Sequence, residues 1–204
     1  MKDINILVFG DEIVDYIYVL SLILEHDSND NYYNVLNFEM WGDTTLDVKN
    51  RFDDECKMIY SKAKDSIIIF SVGVNDTQNI NGEEKISLEA FENNIISLIN
   101  NAKKYTNNIL FIGLTKVDES EIEFYPWNKD KCYSDSKIIL FDFVLKEICL
   151  ENNVDYINAY DLLESKDLFD GLHLNGNGQH KVCNKIKSKI KNISNMIGSE
   201  SCGE

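Results

Sequence analysis

With 204 residues, 44% of them hydrophobic, the chain is long enough to fold as one domain whose core needs neither disulfides nor a metal. Its 35 acidic residues outnumber 20 basic ones, for a formal net charge of -15, which repels nucleic-acid phosphates and anionic lipid and reads as a solvated surface. No apolar stretch approaches the roughly 20 residues of a membrane span, so neither nucleic acid nor membrane insertion is expected.

The first strand-like run, Ile4 to Phe9, starts within a few residues of Met1 and leaves no room for a cleavable leader, so a cytoplasmic chain is expected. A helical stretch, Ile13 to Glu25, follows it, then a short strand at Tyr33 to Phe38 and a helix at Thr45 to Ala63. Ile67 to Val72 is again an uninterrupted apolar, β-branched run. In the helix predicted at Leu88 to Tyr105, Phe91, Ile95, Ile96, Leu98 and Ile99 recur at helical spacing, which gives it one face for a sheet. The strand Ile109 to Leu114, the helix Ser134 to Asn152, a weaker strand Val154 to Ile157 and the helix Gly178 to Ile197 complete the series.

This alternation predicts a single α/β domain over residues 1–197, a three-layer α/β/α arrangement of the flavodoxin-like kind around a parallel five-stranded sheet. Residues 198–204 are small and polar and are expected to fray. The five cysteines, Cys56, Cys132, Cys149, Cys183 and Cys202, are odd in number and lack Cys-x-x-Cys spacing; they read as reduced thiols, with no metal site.

In open parallel sheets, ligands sit outside the carboxyl ends of the strands. Gly10-Asp11-Glu12 and Gly73-Val74-Asn75-Asp76 each follow a predicted strand directly. Asn75 offers an amide donor, and Gly42, in Trp41-Gly42-Asp43-Thr44-Thr45, can bring a backbone N–H close to a ligand because it lacks a Cβ. With the N–H of Glu12 they would make three donors aimed at a developing oxyanion. Each also has a plain structural role: Gly42 as a turn, Asn75 as a loop cap. Before the last helix, Asp170 and His173 stand three residues apart, a spacing that lets a carboxylate reach one imidazole nitrogen while the other faces the sheet ends. Such a pair is usually structural, and its weight here comes from its position. His26 ends an apolar helix and His180 lies on the last helix; neither is assigned a catalytic role.

These blocks, Phe9-Gly10-Asp11-Glu12-Ile13, Gly42-Asp43-Thr44-Thr45, Gly73-Val74-Asn75-Asp76 and Asp170-Gly171-Leu172-His173, resemble those of the SGNH (GDSL-type) hydrolase family, in order and at strand ends, from Phe9 to Val182. Phe111-Ile112-Gly113-Leu114-Thr115 to Val117-Asp118-Glu119, followed by Pro126-Trp127 and Tyr133, resembles a bacterial and archaeal subgroup of GDSL-type lipases and esterases. The resemblance implies hydrolysis of ester-linked acyl groups without metal or cofactor, a small acyl or ester ligand, His173 and Asp170 as catalytic pair, Gly42 and Asn75 in the oxyanion pocket, and Asp11, Thr44 and Asp76 as supports.

One position departs from the pattern. The family's nucleophilic serine follows Gly-Asp, where this chain carries Glu12. A carboxylate has no hydroxyl to activate, and beside His173 and Asp170 it would put two carboxylates around one imidazole and favour the imidazolium, a poorer base and a better acid. Two readings follow: a hydrolase with altered chemistry, in which Glu12 acts on water or as a carboxylate nucleophile, or an inactive binding protein whose pocket holds a carbonyl or acyl ligand. Ser71, Thr44, Thr45 and Cys132 are the other hydroxyls and thiols near the blocks, and none is assigned as a substitute.

Overall fold

Apolar runs build the central sheet of the computed structural model, which describes residues 2–11, 17–25, 31–60, 64–122 and 131–200. In chain order the elements are β1 (Lys2–Gly10), α1 (Ile17–Glu25), β2 (Asn31–Glu39), α2 (Thr45–Ile59), β3 (Asp65–Ser71), β4 (Asn79–Ile80), β5 (Glu83–Glu84) and α3 (Leu88–Ala102). They continue with β6 (Ile109–Ile112), α4 (Glu119–Ile122), β7 (Lys131–Cys132), α5 (Asp135–Glu151), β8 (Asp155–Ile157) and α6 (Gly176–Glu200). Five strands form one parallel sheet in the order β2-β1-β3-β6-β8. Counted within that sheet, this is the flavodoxin-like order, whose switch point lies between β1 and β3.

The sheet is covered on both sides, which explains why β1, β3 and β6 are apolar without alternation. α1 packs against α6, while α2, α3 and α5 pack side by side. One cross-strand row fixes the register near the carboxyl ends. Phe9 pairs with Phe38 on one side and Phe70 on the other, and Phe70 pairs with Phe111. The Phe9 and Phe38 rings stack at 4.8 Å, those of Phe70 and Phe111 at 4.7 Å, and Phe52 of α2 meets Phe9 at 4.8 Å edge-on. Each such pair contributes about 0.5–1.5 kcal/mol beyond its buried area. The next residues along these strands, Glu39, Gly10, Ser71 and Ile112, form the rim from which the motif loops depart.

Several boundaries differ from expectation for local reasons. The predicted strand to Leu114 stops at Ile112 because Asp142 of α5 captures the Leu114 N–H at 2.8 Å and pulls the chain out of the sheet. α2 ends at Ile59, where Tyr60 turns to extended backbone, and α3 ends at Ala102 in a hydrogen-bonded turn through Tyr105. α6 starts two residues early because the Asn175 side chain accepts the N–H groups of Asn177 and Gly178. A second, antiparallel sheet, β5-β4-β7, was not expected; its strands of two residues carry no periodicity. The part of the predicted first helix before Ile17 lies outside the described residues.

Among the described residues, Cys56, Cys149 and Cys183 are buried thiols outside any disulfide, pushed up to about 12 by burial, and Cys132 is an exposed thiol; Cys202 lies outside. No helix of the described residues is long and apolar enough to cross a membrane. No group of three or more His, Cys, Asp or Glu among them is arranged to hold a metal.

Candidate active site

The first loop leaves β1 where only glycine fits. A Cβ on Gly10 would lie 1.9 Å from the carbonyl oxygen of Ser71 on the adjacent strand. This closeness lets Asp11 continue the pairing by one residue, its N–H donating to the same oxygen at 3.1 Å. Asp11 is buried, and its Oδ2 accepts from Asn75 Nδ2 at 3.3 Å, so the first and third blocks touch. Glu12, the position after it, lies outside the described residues, as does His26.

The second block is fixed from both ends. Met40 N–H donates to Gly10 O at 3.0 Å, and Gly42 turns the chain at a φ of 78°, a left-handed conformation that favours glycine. Thr44 caps α2 in a reciprocal box with Asp47. Thr45 donates its N–H, at 2.9 Å, and its hydroxyl to the fully buried Asp76, joining the second and third blocks. Arg51, two turns into α2, donates to Asp43 at 2.7 Å, to Glu55 at 2.6 Å and to Gly10 O at 3.4 Å, bracing the Gly42 turn against the end of β1.

Asn75 is 3% exposed. Its Oδ1 accepts from Tyr133 Oη at 3.0 Å and from Gln78 Nε2 at 3.4 Å, while Nδ2 donates to Asp11. The sequence predicts a donor turned toward a ligand; in the structure Nδ2 already gives one bond to Asp11, within a buried network. The three N-terminal blocks are one hydrogen-bonded assembly.

The Asp170–His173 pair is built as its spacing suggests. His173 Nδ1 lies 2.7 Å from Asp170 Oδ2, and the other oxygen, Oδ1, accepts from the N–H groups of His173 at 2.8 Å and Leu172 at 3.1 Å. Burial disfavours the Asp170 carboxylate, but these bonds and the imidazole outweigh it and hold the group below the usual carboxylate range. Leu172 is buried and anchors the loop; Gly171, at a φ of 80°, passes so close to Asp118 O that a Cβ would lie 2.7 Å from it. The His173 side chain is 35% exposed, against 8% for Asp170.

The direction of α6 places this pair on the motif edge. Tyr33, near the start of β2, bonds Ser194 in the second half of α6 at 3.3 Å, whereas Gly171, just before α6, accepts the N–H of Asp118, in the loop beyond the carboxyl end of β6, at 2.8 Å. α6 therefore runs antiparallel to the strands. Its N-terminus, and the pair just before it, lie at the carboxyl edge with Gly10, Gly42 and Asn75.

Thr44 and Thr45 hold the loop, Ser71 ends β3 with 3% exposure, and Cys132 sits on β7. Exposed His180 stands on α6. Arg51, Gln78 and Asp142 carry positions that the sequence did not mark. The one available signal was Arg51, a cation two helical turns beyond Asp43.

Asp76 has a testable signature. Burial pushes it up to about 7, against the Thr45 N–H and hydroxyl, which favour the carboxylate. Unfolded, it titrates near its ordinary value of about 3.9. Between these values the native state keeps a proton that the unfolded state has lost, so this group's contribution to stability falls as pH rises from about 4 to about 7 and is level above. In urea unfolding from pH 4 to 8, native stability should decline relative to Asp76→Asn by at least about 1.4 kcal/mol, the equivalent of one pKa unit. Parallel curves would show that Asp76 titrates normally. Asp170, held low, acts with opposite sign and below pH 4, outside this window.

The profile of GDSL-like lipases and acylhydrolases matches residues 7–186. Human platelet-activating factor acetylhydrolase IB subunit alpha2 is 26% identical over 193 residues, 94% of this chain and 78% of that protein. A lipase/acylhydrolase from Enterococcus faecalis superposes with a TM-score of 0.74 at 21% identity, covering 94% of this chain and 96% of that one. An acetylxylan esterase from Geobacillus stearothermophilus superposes with a TM-score of 0.71 at 17% identity, covering 91% and 93%. Catalytic variants of that esterase carry alanine in place of a serine and of a histidine.

Proposed function

We propose a function from one premise: the chain belongs to the GDSL-like lipase/acylhydrolase family. Its site takes esters of small acyl groups, with Glu12 at the position of the family's serine, so that ester cleavage by the native chain proceeds without an acyl-serine and slowly. The observation that carries it is the Asp170–His173 pair, an imidazole held by its orienting carboxylate at 2.7 Å on the motif edge. The small acyl group is supported by the acetylhydrolase and acetylxylan esterase among the similar proteins.

Asp170 holds His173 Nδ1 and thereby aims Nε2 at the reacting atoms. The Glu12 carboxylate takes a proton from a water molecule as that water's oxygen attacks the ester carbonyl. Charge developing on the carbonyl oxygen is received by the N–H groups of Gly42 and residue 12 and by Asn75 Nδ2. When the tetrahedral species collapses, the bond to the leaving oxygen breaks and His173, in its protonated form, gives that oxygen its proton. Acid and alcohol leave, and the proton on Glu12 returns to the imidazole. Asp11, Thr44 and Asp76 support the donors through the bonds described above.

The native chain should therefore show no acyl-enzyme burst with p-nitrophenyl acetate at pH 7 to 8 and no covalent labelling by a serine-directed phosphonate. Loss of a triad nucleophile typically costs on the order of a millionfold in turnover. Of the other hydroxyls near the blocks, that of Thr44 bonds Asp47 at 2.6 Å, that of Thr45 bonds Asp76, and Ser71 is buried at the strand end. A burst, or phosphonate mapped to Ser71 or Thr44, would contradict the assignment of Glu12.

A further inference from the structure

We infer that Tyr133, assisted by Gln78, is a positioning residue that fixes the orientation of the Asn75 amide, an inference that rests on Asn75 being an oxyanion donor. An asparagine side chain has nearly the same shape in its two amide orientations, and its neighbours select one. Facing an anionic oxygen, only the NH2 side stabilises; the carbonyl side repels.

Here three contacts select the same orientation. Tyr133 Oη donates to Asn75 Oδ1 at 3.0 Å, Gln78 Nε2 donates to that oxygen at 3.4 Å, and Asp11 Oδ2 accepts from Nδ2 at 3.3 Å. Reversing the amide would set a carbonyl oxygen against the Asp11 carboxylate and an NH2 against the Gln78 NH2, and would take from the Tyr133 hydroxyl the oxygen to which it donates. All four residues are buried, so water does not compensate for the mismatch. Gln78 Nε2 also donates to the Tyr133 hydroxyl, which directs the phenol proton toward Asn75. Donation into Oδ1 polarises the amide and makes its remaining N–H a stronger donor.

The small antiparallel sheet gains a purpose from this arrangement. β4 begins at Asn79, directly after Gln78, and pairs with β7 in the register Asn79 to Cys132. Tyr133 is the next residue after β7. Lys137 Nζ, donating to Asn79 Oδ1 at 3.0 Å, ties the start of α5 to the same point. The pairing thus staples the tyrosine over the Asn75 turn, across 58 residues of sequence.

The test follows the Asn75 side-chain NH2 resonances of the 15N-labelled native chain, identified by their loss in Asn75→Asp. In Tyr133→Phe these protons should exchange with water at least about tenfold faster and shift toward free asparagine amide, with the backbone resonances of β1 and β3 unmoved. Gln78→Met should move them in the same direction and serves if Tyr133→Phe does not fold. Unmoved Asn75 resonances in a folded variant overturn the inference. In a Glu12→Ser background, Tyr133→Phe should lower kcat about tenfold at unchanged KM, a smaller loss than removal of an oxyanion donor. An unchanged kcat, or a loss confined to KM, overturns it as well. If Glu12→Ser is itself inactive, the catalytic reading fails alone, and the resonances of the native chain still decide the amide lock.

Discussion

Gly10→Ala is expected to destabilise the fold by more than about 3 kcal/mol and to lower the thermal midpoint by roughly 6 °C or more. The new Cβ would lie 1.9 Å from Ser71 O and 2.6 Å from Ser71 C. Both are backbone atoms, so no rotamer change relieves the contact. The strands β1 and β3 would have to separate where Gly10 pairs with Ser71 and where Asp11 N–H bonds the Ser71 carbonyl. That movement would also open the aromatic row just behind, in which Phe9 lies between Phe38 and Phe70. Overpacking a core with one methyl ordinarily costs about 1–3 kcal/mol, and this site exceeds that range because two strands must yield. Gly176→Ala, where a Cβ meets nothing within 4 Å, is the control and should change stability by less than about 0.5 kcal/mol. Thermal and urea unfolding of the three proteins compare them; Gly10→Ala within about 1 kcal/mol of native would mean that the strand ends are looser than the structure has them.

Much of this architecture is legible in the sequence because burial on both faces leaves a plain mark. Ile4 to Phe9, Ile67 to Val72 and Ile109 to Leu114 contain almost no polar residue, and only a sheet covered by helices on both sides calls for that. The site is legible in part for a related reason. Parallel strands end at one edge, so a motif read directly after a strand is already placed in space, as Asp11 and Asn75 are. Bonds made across long sequence separations leave no such mark. Tyr133 meets Asn75 across 58 residues and Asp142 meets Leu114 across 28, and neither partner shows a local pattern. The strands β4, β5 and β7 are too short for alternation to be seen. Arg51 stands on a helix whose face is set by Val48, Phe52 and Cys56, and its reach back to Gly10 O follows from the angle at which α2 leaves the Gly42 turn.

Turnover of short-chain p-nitrophenyl esters decides whether this site is, as proposed, a serine-hydrolase constellation changed at one position. Three proteins are compared: the native chain, Glu12→Ser, and Glu12→Ser with His173→Ala. A serine at residue 12 would stand beside Asp11, which is bonded to Asn75, and on the edge that carries the Asp170–His173 pair. Its hydroxyl needs to come within roughly 2.6 to 3.2 Å of the imidazole nitrogen, or to tighten to that distance with substrate bound. Since loss of a triad nucleophile or its base costs on the order of a millionfold, Glu12→Ser should turn over at least about a thousandfold faster than both other proteins, even with imperfect geometry. A folded Glu12→Ser protein no faster than its His173→Ala derivative would contradict that constellation and favour a pocket that binds a carbonyl or acyl ligand without cleaving it.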